Sequence, residues 1–202
     1  MANLTRARLY DPLLYYFVKD IRRGIVEMAC EYSFGRIIDV CCGTGNQVKL
    51  LARKGFDATG IDNSEEMLSI SNAGPCPGRC FKQDATALEF PDSSFDVAMI
   101  TFGLHEKDPE TGRKILAEIV RVVRDGGHVL VADYEFSGET GVLARRIITF
   151  IERIAGGDHY QSFLTYLSGG CMTGLVPGGL SEIKTRYFAS HGVAVRLFCK
   201  NG

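Results

Sequence analysis

The chain has 202 residues, of which 46% are hydrophobic and 23% are charged, and its formal net charge is −1. This composition is typical of a globular protein and excludes an intrinsically disordered chain. Because the net charge is small and no long basic run is present, a broad nucleic-acid-binding surface is not expected. The length predicts a single domain over residues 1–202.

The N-terminal sequence lacks the charged start, apolar centre and small-residue cleavage site of a signal peptide. No apolar stretch of about 18 residues is present, so no transmembrane segment is expected. Seven cysteines, an odd number, are interpreted as reduced thiols of a cytoplasmic protein. Cys76 and Cys80 bracket a turn, but a zinc site needs about four ligands and no second pair is obvious, so no metal site is predicted.

The first predicted element is a helix from about Pro12 to Tyr32, where apolar residues recur at spacings of three and four. Residues 1–33 are therefore interpreted as a helical lid or cover. The aromatic residues that would contact a ligand beneath such a lid are Tyr10, Tyr15, Tyr16 and Phe17.

Strands and helices then alternate, which predicts right-handed crossovers and a parallel sheet. The helix after the second strand is expected to be capped by Asn63, with Glu66 three residues later as in a capping box. The predicted strands cover residues 36–42, 56–62, 79–84, 94–102 and 128–134. The predicted helices among them include residues 46–54 and 110–124.

The last part of the chain departs from this alternation. Helices are predicted at 141–154 and 159–168, and strands at 182–190 and 192–200 have only a short turn between them, as in an antiparallel hairpin. The fold class is therefore α/β, with a Rossmann-like, seven-stranded, mostly parallel sheet, a C-terminal antiparallel hairpin and helices on both faces. Within it, residues 34–135 form the expected cofactor-binding core, and residues 136–202 the substrate-side helices and hairpin.

Candidate binding residues follow the predicted strands, where ligands of open α/β sheets bind. A glycine-rich loop follows the first strand, and Gly45 is expected to let the backbone approach a ligand closely. The third glycine of the dinucleotide fingerprint is absent, because Val48 occupies that position. A nicotinamide-dependent oxidoreductase is therefore the weaker of the alternatives.

The segment Asp39-Val40-Cys41-Cys42-Gly43-Thr44-Gly45 resembles the acidic-x-Gly-x-Gly-x-Gly motif of class I methyltransferases, with Cys41 at the position of the first glycine. This resemblance implies S-adenosylmethionine as the cofactor. It also implies that Asp39, Cys41, Gly43, Thr44 and Gly45 contribute to cofactor binding.

Two further acidic residues end the next two predicted strands. Asp62 lies roughly twenty residues after the glycine loop, where an acidic side chain can accept both ribose hydroxyls. At the position of Asp84, the resemblance implies an acid that accepts the adenine amino group. The other predicted cofactor-binding residues are Asn63, Met67, Ala85 and Thr101.

The segment from Phe95 to Glu135 resembles the ubiquinone/menaquinone C-methyltransferase branch, and this resemblance covers about residues 34–135. Quinone-ring enzymes of the branch commonly have Arg-Asn after Phe-Gly-Leu, whereas this chain has His105 and Glu106. The predicted function is thus methyl transfer to a small-molecule acceptor. A quinone or lipid-precursor methyltransferase and a non-catalytic S-adenosylmethionine-binding module remain the alternatives.

His105 is the predicted general base, because it follows the fourth strand, beside the expected position of the methyl group. Glu106, His159 and Tyr160 are candidates for orienting His105 or lining the acceptor pocket. A base is needed only if the acceptor must lose a proton. No partner is implied besides the methyl acceptor, and assembly into a homodimer remains open.

Overall fold

The structure, a computed structural model, describes residues 18–73 and 79–202. Predictions that concern residues 1–17 and 74–78 lie outside these ranges. They are the ligand contacts of Tyr10, Tyr15, Tyr16 and Phe17, and the turn that Cys76 and Cys80 bracket. The N-terminal helix is described from residue 18 and continues to residue 31 as helix α1.

The described residues form a seven-stranded sheet in the order β3-β2-β1-β4-β5-β7-β6. Strands β1 to β5 pair in parallel, and β7 is antiparallel to both β5 and β6. The mostly parallel sheet with an antiparallel hairpin, predicted from the sequence, is therefore confirmed. The strands are β1 (Arg36–Val40), β2 (Asp57–Asp62), β3 (Cys80–Lys82), β4 (Phe95–Thr101), β5 (Val123–Tyr134), β6 (Leu180–Phe188) and β7 (Val193–Lys200).

The helices that follow α1 connect the strands or precede the hairpin. They are α2 (Asn46–Arg53), α3 (Glu65–Ser71), α4 (Pro109–Val122), α5 (Val142–Ala155) and α6 (Gly157–Ser168), with a short 3₁₀ helix at Cys171–Gly174. In the described ranges, none of the helices combines the length and the hydropathy that crossing a bilayer requires.

The central strands are buried on both faces, as expected for parallel strands covered by helices. Ile37, Ile38 and Val40 of β1 are fully buried, and so are Val97 and Met99 of β4. This explains why the strands read as continuous apolar runs in the sequence. The carboxyl ends of β1, β2, β4 and β5 consequently meet at one edge, where the candidate site residues lie.

The predicted cap of helix α3 is wrong. Ser64, not Asn63, is the N-cap residue, and its hydroxyl accepts a hydrogen bond from the backbone N–H of Met67 at 3.3 Å. Asn63 is exposed. The helix begins one residue later because Asp62 accepts a hydrogen bond from the backbone N–H of Ser64 at 2.9 Å, which fixes the turn between β2 and α3.

Candidate active site

The loop between β1 and α2 turns tightly at the carboxyl edge of the sheet. Cys41, Gly43 and Gly45 have φ angles of 61°, 53° and 68°, in the left-handed region that favours glycine. Cys41 thus adopts a glycine-like conformation at the position where the methyltransferase motif has its first glycine. The side chain does not prevent the turn that the motif requires.

The two loop glycines have different surroundings. A Cβ atom at Gly43 would meet no atom of residues 18–73 or 79–202 within 4 Å, so these residues leave this face of the loop open to a ligand. A Cβ atom at Gly45 would overlap the hydroxyl of Ser71 and lie 3.1 Å from the sulfur of Cys80. Gly45 is therefore required by the packing of the loop against α3 and β3, a different reason from the ligand approach expected from the sequence.

Asp62 connects the end of β2 to this loop. Its Oδ2 accepts a hydrogen bond from the backbone N–H of Gly43 at 2.8 Å, and its Oδ1 accepts one from Ser64. Each carboxylate oxygen has two lone pairs, so both oxygens of this half-buried side chain retain acceptor capacity. That capacity is what binding of two ribose hydroxyls requires.

Asp39 and Thr101 lie on the neighbouring strands β1 and β4. Asp39 Oδ1 and Thr101 Oγ1 are buried and have no hydrogen-bond partner within the part of the chain that the structure describes. Burial raises the pKa of Asp39 to about 8, with a further increase from Cys80 and a decrease from Arg22. Buried polar atoms without partners are costly, so both atoms fit a polar ligand over this edge.

The remaining predicted cofactor residues lie towards the outer part of the same edge, where β3 pairs with β2. Asp84 is exposed, and its carboxylate accepts hydrogen bonds from the backbone N–H and hydroxyl of Thr86, which lower its pKa. Ala85 and Met67 are half-buried. Asp84 follows Lys82, the register partner of Asp62, by two residues, so the two acids end adjacent strands.

On the other side of the loop, His105 follows β4 and is only 5% exposed. Its Nδ1 lies 2.7 Å from Oδ1 of Asp133, near the end of β5. The Asp133 carboxylate also accepts hydrogen bonds from the backbone N–H groups of Leu104, His105 and Tyr134. Asp133 therefore fixes the orientation of the imidazole.

Helices α5 and α6 complete this cluster with Glu152 and His159. Glu152 is fully buried; its Oε1 accepts a hydrogen bond from the hydroxyl of Tyr134 at 2.9 Å. Its Oε2 lies 2.6 Å from Nε2 of His159 and 3.6 Å from Nε2 of His105. Two imidazoles thus face one buried carboxylate oxygen.

Neighbouring charges determine the protonation of His105. Burial lowers its pKa, but Asp133 and Glu152 outweigh burial, and the pKa is raised above its ordinary value.

Glu106 forms an ion pair with Lys107 at 2.7 Å, and its Oε2 is 3.8 Å from Nδ1 of His159.

Tyr160 is half-buried, and its ring stacks on that of Phe163 with centroids 6.2 Å apart.

Sequence reasoning identified His105, Glu106, His159 and Tyr160 but missed Asp133 and Glu152. A signal for Glu152 was present, because it lies four residues after the buried Ile148 on the inner face of α5.

The cofactor loop and the histidine cluster are contiguous. A Cβ atom at Gly103 would lie 3.2 Å from Cβ of Cys41, so the segment after β4 packs directly on the loop. A cavity of about 180 Å³ lies beside this segment, between the start of α4 and the end of α6, and its lining includes Lys107, Arg113 and Tyr166.

Comparison with known proteins identifies relatives of this chain. A family model described as a methyltransferase domain matches residues 37–127. A demethylmenaquinone methyltransferase of Thermus thermophilus is 32% identical in an alignment of 166 positions, and the match covers 74% of this chain and 74% of the relative. One of Renibacterium salmoninarum is 35% identical over 113 residues, 56% of this chain and 47% of the relative. This chain thus spans about half the length of some relatives it matches and about three quarters of others.

A solved structure has the same fold. A methyltransferase dependent on S-adenosylmethionine, from Archaeoglobus fulgidus, superposes with a TM-score of 0.61 at 15% identity and covers 92% of this chain and 100% of its own. Similarity at this level of identity concerns the fold alone. It supports the sheet order.

Proposed function

The chain belongs to the class I S-adenosylmethionine-dependent methyltransferases and resembles their menaquinone branch, and from this premise we propose that it transfers a methyl group from S-adenosylmethionine to a small-molecule acceptor. The observation that carries the proposal is the open face of the loop at Gly43, together with buried atoms of Asp39 and Thr101 on the neighbouring strands that have no hydrogen-bond partner among the described residues. This arrangement offers both space and polar partners to a ligand.

We propose the following cofactor-binding roles, which combine these contacts with the resemblance to class I methyltransferases. Asp62 accepts the ribose hydroxyls with its remaining lone pairs, and Asp39 accepts a hydrogen bond from the ammonium group of the methionine moiety. Thr101 offers its hydroxyl to the same end of the ligand. Asp84, with Ala85 next to it, lies towards the adenine. Met67 and Asn63 flank the ribose.

When bound, S-adenosylmethionine supplies a methyl group that its sulfonium charge has already activated. The protein then has to position the acceptor in line with the methyl group and exclude water. His105 and its partners Asp133 and Glu152 form the buried acceptor-side wall. His105 as a catalytic base stays a prediction, and its raised pKa requires that a proton leave the imidazole first.

The proposed acceptor is a small organic molecule, and a reduced quinone precursor is the second candidate. The second candidate is favoured by the Thermus thermophilus relative, which is named for demethylmenaquinone. The presence of His105 and Glu106 after Phe-Gly-Leu favours a different acceptor. The two candidates differ in their chemistry, so one assay separates them.

The test is transfer of a labelled methyl group from S-adenosylmethionine by the purified full chain. One reaction contains a reduced demethylmenaquinone analogue and the other a fractionated extract of small metabolites. Label in a small organic product supports the proposal, and label in the quinone supports the second candidate. If S-adenosylhomocysteine binds but no acceptor is ever labelled, the chain is a cofactor-binding module and the proposal fails.

Assembly and location are further predictions of the proposal. A diffusible acceptor requires no nucleic acid, so added RNA or DNA should not change the rate. Sedimentation velocity measures whether the chain forms the homodimer that the sequence left open. A cytoplasmic location would be consistent with reduced thiols and is measured by cell fractionation.

A further inference from the structure

Three side chains from three different segments of the chain converge on one point at the proposed acceptor side of the site. His105 comes from the segment after β4, Glu152 from α5 and His159 from α6. Their ligand-type atoms all lie within 4.8 Å of one another. We call this group the His–Glu cluster.

The hydrogen bonds of Asp133 determine the tautomer of His105. This carboxylate already accepts three backbone hydrogen bonds, so it is an acceptor, and Nδ1 of His105 must be the donor. In the neutral ring, Nε2 then carries a lone pair that faces Oε2 of Glu152 at 3.6 Å. Two acceptors that face each other in a buried place require a proton or a cation between them.

Two members of the His–Glu cluster, His105 and Glu152, are also oriented by hydrogen bonds on their far sides. Nδ1 of His105 is held by Asp133, and Oε1 of Glu152 accepts a hydrogen bond from the hydroxyl of Tyr134. Nδ1 of His159 faces Oε2 of Glu106 at 3.8 Å, beyond hydrogen-bond distance. Polar groups behind the ligands are characteristic of metal sites, in which a carboxylate commonly orients the ligating histidine.

We propose that His105, Glu152 and His159 bind one divalent transition-metal ion. Two imidazole nitrogens and one carboxylate oxygen suit Zn²⁺ or Fe²⁺, and three protein ligands leave positions open for a further ligand. An ion bound at roughly 2.1 Å from each atom holds its ligand atoms about 3–4 Å apart. The separation of 3.6 Å between Glu152 Oε2 and His105 Nε2 lies within that range. The separation of 2.6 Å between Glu152 Oε2 and His159 Nε2 is a hydrogen-bond distance, so these two atoms would have to move apart slightly to bind the ion.

A bound cation also accounts for the position of Glu152. The side chain is fully buried, and an ionised carboxylate inside a protein is costly unless positive charge compensates it. His159 is the most accessible ligand, with 25% of its side chain exposed, and it provides a route for the ion to enter.

The role of the ion, unlike its binding, rests on the proposed methyl transfer. Because the segment that carries His105 packs on Cys41 of the cofactor loop, the open coordination positions belong to the acceptor side. The ion would bind an oxygen atom of the acceptor. The acceptor class is therefore narrowed to molecules with a hydroxyl, enol or carbonyl oxygen next to the methylated atom.

The test uses full-length protein without an affinity tag, treated with a chelator and then dialysed. Titration with Zn²⁺ in a calorimeter should give one ion per chain, and Co²⁺ should produce visible absorption bands of a nitrogen- and oxygen-ligated site. H159Q and E152Q should each weaken Zn²⁺ binding at least tenfold, and D133N by about 10–100-fold through loss of orientation. H191Q, at a half-buried histidine in the hairpin turn, is the matched control and should bind Zn²⁺ like the wild type.

Absence of Zn²⁺ binding in the wild type would overturn the site, and so would affinity that is unchanged in both H159Q and E152Q. If E152Q fails to fold, the Zn²⁺ affinity of H159Q still tests the site, because His159 is partly exposed and its substitution should disturb the fold less. Calorimetry with S-adenosylhomocysteine, measured in parallel, tests the cofactor site without the ion. If Zn²⁺ binds but no methyl transfer is found, the result counts against the proposed function and not against the metal site. If methyl transfer occurs at the same rate with and without a chelator, the role given to the ion is wrong.

Discussion

Asp62 is the side chain whose removal should weaken cofactor binding most directly. Charge-assisted hydrogen bonds to ribose hydroxyls contribute about 1.5–3 kcal/mol each. Asp62→Ala should therefore lower the affinity for S-adenosylmethionine at least about tenfold, measured by calorimetry. Because Asp62 also holds Gly43 and Ser64, circular dichroism must show that the variant is folded.

The matched control lies on the same strand. Asp57 begins β2 at the opposite edge of the sheet and pairs with Arg79 on the exposed surface. Asp57→Ala should bind the cofactor with unchanged affinity. Equal affinity in the wild type and in a folded Asp62→Ala variant would remove Asp62 from the cofactor site.

Substitutions at the two loop glycines should affect different properties, stability at Gly45 and cofactor binding at Gly43. Both have left-handed backbone conformations, so a side chain at either position costs roughly 1–2 kcal/mol. Gly45→Val adds overlap with Ser71 and close contact with Cys80, whereas Gly43→Val extends into open space. We expect Gly45→Val to lower the melting temperature more, and Gly43→Val to abolish cofactor binding with the smaller loss of stability. Equal melting temperatures of the two variants would contradict this difference.

Helix α3 depends on a single cap. Ser64→Ala removes the hydrogen bond to the Met67 N–H and should lower the free energy of unfolding by about 1 kcal/mol. Asn63→Ala, one residue earlier and exposed, should change it by less than about 0.5 kcal/mol. Urea unfolding without cofactor measures both. If Asn63→Ala lowered the free energy of unfolding more than Ser64→Ala does, Asn63 would be the N-cap residue, as the sequence suggested.

For the whole molecule, cofactor binding should appear as thermal stabilisation. A ligand at about 100 times its Kd stabilises the folded state by about 2.7 kcal/mol. For a chain of about 200 residues this raises the melting temperature by roughly 5–11 °C. S-adenosylhomocysteine should produce this shift and NAD⁺ should not. A shift with NAD⁺ alone would favour the oxidoreductase alternative.

The seven-stranded, mostly parallel sheet and its antiparallel hairpin were predictable from the sequence alone, and the sequence also predicts which edge of the sheet binds the cofactor. Buried parallel strands read as continuous apolar runs, and the short turn between the last two strands allows only antiparallel pairing. The residues of the glycine loop and Asp62 follow their strands directly in the chain. Their placement therefore required only local patterns and the rule that ligands bind at the carboxyl edge.

The tertiary structure alone decided the surroundings of each side chain. Gly43 and Gly45 look alike in the sequence, but α3 and β3, distant in the chain, pack only against Gly45. No local spacing brings His105 near Glu152 and His159, because the first comes from a loop after β4 and the others from α5 and α6. These side chains meet only when the helices pack on the sheet, since burial of apolar surface, rather than local periodicity, determines which polar groups are enclosed together.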